Sequence, residues 1–157
     1  LKGSGSVVAA PGAVPRINIS TLGPGGALVG SVDDALAFDR ALMNGVLVSK
    51  DGTAAMWKGE PALGYVALGA WAFEAPLGGC EGDVKLVERR GSVDGVQMRN
   101  IIAPDRDLAL IVFTDNADAA FGEIWQGKGL SYDLASAAFC AKSEAEKEKA
   151  EKEKPPG

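Results

Sequence analysis

Three apolar β-runs lie close together in the second half of the chain. Residues 84–90 and 96–102 alternate inward and outward positions, whereas residues 108–114, LALIVFT, are almost wholly apolar and rich in β-branched side chains. Pro104-Asp105-Arg106-Asp107 lies between the last two runs and has the chemistry of a turn. The pattern predicts an antiparallel meander. Because residues 108–114 lack polar alternation, they are expected to form a central strand with both faces covered.

Helical spacing supplies the cover. Residues 31–44 place Val32, Ala35, Leu36, Leu42 and Met43 on one face, with Ser31 as the N-cap, Asp34 completing a capping box and Gly45 ending the helix. Residues 49–57 are a second, shorter helix. Residues 131–141 are a third, with Tyr132, Ala135 and Phe139 flanked by Leu134 and Ala138 on a broad apolar face. The order helix, helix, strands, helix predicts an α+β fold, an antiparallel meander with packed helices.

Composition bounds the picture at both ends. Apolar residues make up 46% of the chain, enough for a core. No run approaches the roughly 18–20 apolar residues of a transmembrane segment, so none is expected. Residues 1–26 are rich in Gly, Pro and Ser and read as a linker or long surface loop; the apolar stretch VVAAPGAV within them is too short and broken for a secretory signal. The chain opens on Leu1, and it is expected not to be the start of a complete protein. Residues 27–141 form the domain. Residues 142–157 are a charged tail whose five Lys and five Glu between 142 and 154 cancel, so the net charge of −5 belongs to the body. That charge, with no basic cluster and few aromatics, argues against a nucleic-acid partner.

Several chemistries are excluded. With no His there is no Ser-His-Asp triad and no imidazole ligand, and two Cys sixty residues apart do not make a zinc site. No metal and no cofactor are expected. Cys80 and Cys140 could pair or stay free. Asp105 and Asp107 belong to the turn. Trp57, Trp71 and Trp125 are too scattered for an aromatic platform, and Trp71 reads most simply as core. Taken alone, Arg89 and Arg90 read as a strand pair making surface ion pairs with Glu88 or Asp94, and Gly91 and Gly95 as a bulge or tight bend.

Four segments in order alter that reading: GPGGALVGSVDDALAFDRALMNGVLVS, GYVALGAW, ERRGSVDGV and APDRDLALIVFTDNA. Together they resemble the C-terminal part of the serine β-lactamase-like family, which includes class C β-lactamases, D,D-peptidases and related esterases. Gly25-Gly26-Ala27-Leu28 leading to Ser31 and Asp33-Asp34 is similar to a Gly-Gly-Leu segment entering a helix that carries Asp. Residues 65–71 look like a loosened Tyr-Gly-Leu-Gly-Trp strand, and Phe113-Thr114-Asp115-Asn116 is similar to a terminal strand running into Thr-Asn. The resemblance covers residues 24–140.

It implies acyl-enzyme chemistry on an ester, amide or β-lactam, which needs an activated serine in Ser-x-x-Lys, a Tyr-x-Asn or Ser-x-Asn relay, and a Lys/His-Thr/Ser-Gly strand. The first two motifs are absent from this chain. The third falls on Arg89, Arg90, Gly91 and Ser92, with Gly95 as the later glycine. Arg89 takes the cationic position, Arg90 replaces a hydroxyl residue, and the backbone N–H of Ser92 takes the place of one oxyanion donor. The implied partners are a small-molecule or peptide substrate and the N-terminal remainder of the same fold, without which this chain is not competent and is expected to be marginally stable or self-associating. A periplasmic or secreted location also follows from the resemblance alone. The alternatives are a non-catalytic binding or structural domain that keeps the fold, and an unrelated small α+β module.

Overall fold

The computed structural model describes residues 28–141, residues 94 and 117 excepted; the linker at residues 1–26 and the tail at 142–157 lie outside the described residues. The described chain is α+β. It runs α1 (Val32–Met43), α2 (Lys50–Met56), β1 (Trp71–Pro76), β2 (Asp83–Val93), β3 (Val96–Ala103), β4 (Leu108–Thr114) and α3 (Leu130–Cys140). The strands form an antiparallel meander in the order β1-β2-β3-β4.

Local chemistry sets the helix ends. The hydroxyl of Ser31 accepts from the Asp34 N–H at 3.1 Å, and the Asp34 carboxylate accepts from the Ser31 N–H at 2.8 Å, a complete capping box. Those hydrogen bonds from Ser31 hold the Asp34 carboxyl below its ordinary value. Ser31→Ala is expected to lower stability by about 1 kcal/mol, read from the urea midpoint. Ser49 caps α2 with its hydroxyl alone, which accepts from the Gly52 N–H. The turn after β3 is a 3-10 turn at Pro104–Arg106, closed by Asp107 at φ +54°.

Alternation along the strands builds two apolar layers, one on each face of the sheet. Phe73, Leu86, Ile101, Ile124, Ala135 and Phe139 form the larger core, under α3. Leu42, Trp57, Ala72, Val87 and Ile102 form the smaller one, under α1 and α2. A disulfide joins Cys80, in the β1–β2 connection, to Cys140 at the end of α3, settling the pairing that spacing left open. Arg106 donates to the Phe139 carbonyl at 3.0 Å and so ties the β3–β4 turn to the same helix end.

The expectation that residues 108–114 form a central strand is corrected. Among the described residues β4 pairs with β3 alone and is an edge strand, with Leu108 and Phe113 exposed. An apolar run reports that a strand's two faces have neighbours, and α1 and α3 do flank β4. It carries no information on whether the second edge is hydrogen-bonded.

Candidate functional site

The outer edge of β2 holds the candidate site. Strand β1 reaches along β2 only from the Pro76–Asp83 pair to the Trp71–Glu88 pair, whereas β2 continues to Val93. Among the described residues, 89–93 therefore have β3 on one side and no strand on the other. The Val93–Val96 pair encloses a two-residue connection and is a hydrogen-bonded pair. Alternation then points the backbone groups of Val93, Gly91 and Arg89 toward β3 and those of Ser92 and Arg90 outward. Strand β1 agrees with this phase: the Ala72 N–H turns away from β2 to the Tyr65 carbonyl at 2.9 Å, leaving Trp71 to face Glu88. The N–H groups of Arg90 and Ser92 thus lie on an open strand edge, available as main-chain donors.

The four residues of the third-motif position take different roles. Ser92 is exposed. Gly91 sits against Met98, whose Cγ would lie 2.8 Å from an added Cβ, so this close approach needs glycine or a displaced Met98. Gly95 has φ +89°, which accounts for a glycine in the connection to β3. Arg89 and Arg90, adjacent in sequence, project to opposite faces of the sheet.

Arg90 is held in a cage. Its guanidinium lies 5.3 Å from the centroid of Trp71 and 4.8 Å from that of Trp125, and it pairs with Glu88 at 2.8 Å and with Glu123. Glu88 is only 1% exposed, and its second oxygen faces Arg99 Nε at 3.6 Å. Arg99 in turn lies over Phe121 at 4.6 Å. Burial pulls the Arg90 pKa down, but the hydrogen bond and charge of Glu88, reinforced by Glu123, outweigh it and raise the pKa overall. Burial, together with repulsion from Arg90, lowers that of Arg99. The buried Glu88 carboxylate, shared between the partly exposed guanidiniums of Arg90 and Arg99, holds this face of β2 together. Arg90 is consequently not a surface residue free to meet a ligand, and the reading of Arg89 and Arg90 as one surface pair is corrected: Glu88 serves Arg90 and Arg99, on the face opposite Arg89.

Arg89 is exposed and lines a cavity of about 530 Å³ between α1, α2, residues 68–70 and the sheet. Among the described residues it has no ion-pair partner; Asp94 lies outside them. Opposite Arg89 on β3 is Asn100, whose Nδ2 donates to Asp39 Oδ1 at 3.0 Å. Asp39 is 2% exposed on α1, and among the described residues its Oδ2 has no hydrogen-bond partner. Burial pushes the Asp39 carboxyl up, and the Asn100 hydrogen bond opposes this only in part.

Asp39 was not among the residues the sequence singled out. It occupies the inward turn of α1 between Leu36 and Leu42, where the spacing that marks the apolar face marks it equally.

The sign of its effect on stability follows from linkage. A carboxyl whose folded pKa is raised binds protons more readily folded than unfolded, so stability falls as pH rises from about 3.8 through the folded pKa. Asp39→Asn is expected to raise stability at pH 7, with the difference closing below pH 4. Denaturation midpoints across that range check it.

Among the described residues no cluster of His, Cys, Asp and Glu is arranged to hold a metal ion, and no helix is long and apolar enough to cross a membrane. Comparison with protein-family models, with curated proteins and with solved structures yields no match.

Proposed function

We propose that this chain is the C-terminal portion of a serine β-lactamase-like hydrolase and that the open end of β2 forms one wall of its acyl-transfer site. The observation that carries the reading is the strand edge at Arg90 and Ser92, which no strand covers among the described residues, beside an exposed cation at Arg89. An acyl transfer needs N–H donors aimed at the oxyanion, and main-chain donors on a fixed strand supply them without reorganisation. Arg89 supplies a guanidinium for a substrate carboxylate. The nucleophile and its base come from the N-terminal remainder of the fold. The edge of β4, unpaired among the described residues and apolar from Leu108 to Phe113, also supports a sheet that is completed by further strands. The substrate class is an ester, an amide or a β-lactam.

One feature favours a second reading, a non-catalytic binding or structural domain of the same fold. Arg90 stands where the resembled family has a hydroxyl residue and is engaged by Trp71, Trp125, Glu88 and Glu123, so the hydroxyl's contact to substrate is lost.

A fluorescent fluorophosphonate separates the two. Residues 1–157 alone are expected to remain unlabelled. The protein encoded by the intact gene is expected to be labelled on a serine outside this segment, and Arg89→Ala in that protein to slow acylation by a carboxylate-bearing ester about tenfold. Absence of labelling in the intact protein supports the non-catalytic reading. An unchanged rate in Arg89→Ala removes Arg89 from the site.

A further inference from the structure

The cavity beneath α1 and α2 is apolar from its floor to its mouth. Leu42, Trp57 and Ile102, all buried, form the floor, and Phe38, Leu47 and Leu68 stand at the rim, each more than half exposed. Large apolar side chains left in water around an apolar hollow mark a surface that is stabilised by being covered. Its volume of about 530 Å³ falls within the roughly 300–1,000 Å³ of small-molecule sites. Among the described residues two charged side chains line it, Asp39 and Arg89. They differ in what they offer. Asp39 Oδ2 and Asn100 Oδ1 are both buried, and burial pushes the Asp39 carboxyl toward its neutral form. Arg89 is exposed and has no ion-pair partner among the described residues. The charge that the cavity presents to solvent is therefore positive.

A cation set in an apolar lining defines its ligand at both ends. A guanidinium holds a carboxylate through two parallel N–H···O bonds, and it does so more strongly where apolar neighbours thin the surrounding water. It repels an ammonium and gives an alcohol only one ordinary hydrogen bond. The buried acid in the same lining favours a head with a single negative charge over one with two. Behind the head, Leu42, Trp57 and Ile102 call for hydrocarbon, each buried methylene raising affinity about fourfold. We propose that this cavity binds an apolar monocarboxylate, its head on Arg89 and its hydrocarbon against Leu42, Trp57 and Ile102, an inference that rests on the reading above in giving Arg89 a carboxylate to hold and deepens it by naming the apolar body behind that carboxylate. Binding itself requires no nucleophile.

The test uses the protein encoded by the intact gene and three probes of one chain length, octanoate, octan-1-ol and octylamine, with butanoate as a short carboxylate. Each is titrated by calorimetry at pH 7. Octanoate is expected to bind saturably at one site, at least about tenfold more tightly than octan-1-ol or butanoate, and octylamine more weakly than octan-1-ol. Arg89→Gln, at an exposed position, is expected to lower octanoate affinity at least about tenfold and to leave octan-1-ol unchanged, which shows that the cavity is intact. Ala70→Phe narrows the cavity and is expected to weaken octanoate and octan-1-ol alike. Equal affinity for octanoate and octan-1-ol, equal affinity for octanoate and butanoate, tighter binding of octylamine, unchanged octanoate affinity in either variant, or no saturable octanoate signal would each overturn the proposal. The hydrolase reading fails separately. Octanoate binding without fluorophosphonate labelling leaves the carboxylate site standing on a non-catalytic domain, and labelling without octanoate binding overturns the carboxylate site alone.

Discussion

Reducing the Cys80–Cys140 disulfide is expected to cost about 4 kcal/mol, because it releases a loop with a sequence separation of 60 in the unfolded chain. The bond ties the β1–β2 connection to the last turn of α3, and Cys80 and Cys140 both pack against the larger core. The Gly78 N–H donates to Ser136 Oγ at 2.9 Å, and the Arg106 guanidinium donates to the Phe139 carbonyl; both stitch the same region. Without the covalent tie, those two hydrogen bonds and the packing of Ala135 and Phe139 must hold α3 on the sheet. A Cys80→Ser, Cys140→Ser variant is expected to melt roughly 15 °C below the parent. Addition of reductant to the parent should produce the same shift, since the variant and the reduced chain lose the same constraint. An unchanged melting temperature would show that α3 is held by packing alone.

Arg90→Met is expected to cost about 3 kcal/mol. Methionine matches much of the arginine stem and can still lie between Trp71 and Trp125, so the loss isolates charge from packing. What remains is Glu88, 1% exposed, with its nearest cation the Arg99 Nε at 3.6 Å. A buried carboxylate stripped of its close partner is more damaging than the pair was stabilising. Glu88→Gln in the Arg90→Met background is therefore expected to recover part of the loss. Strictly additive effects in the double-mutant cycle, measured by urea unfolding, would contradict direct coupling between Glu88 and Arg90.

Much of the fold was legible because its determinants are local. Ser31 and Asp34 form a capping box within one helical turn, Leu108–Thr114 has the boundaries its apolar run implied, and Pro104 with Asp107 forms the turn its chemistry required. Strand β1 was less legible. The resemblance pointed to a strand within residues 65–71, yet the segment before Trp71 is a set of turns with Tyr65 at φ +64°, and the strand begins where that segment ends. The failures are non-local. Edge or centre in a sheet depends on what pairs from elsewhere, which the composition of β4 does not encode.

The candidate site divides along the same line. Placing residues 89–92 on one strand needed only alternation. Assigning Arg90 to a Trp and Glu cage needed Trp71 from β1 and Glu123 and Trp125 from the segment before α3, both distant in sequence from β2. The Asp39–Asn100 contact spans 61 positions, and no spacing rule reaches it. Asp39 does carry a local signal, since a carboxylate between Leu36 and Leu42 on the inward side of an amphipathic helix breaks the pattern.

The central claim, that this chain is one part of an acyl-transfer fold, is tested most directly by reading the coding sequence continuous with the codon for Leu1. The account predicts an upstream Ser-x-x-Lys followed by Tyr-x-Asn or Ser-x-Asn in the same frame. A frame in which neither motif precedes Leu1 would contradict it, leaving the open edge of β2 to a domain that binds without catalysing.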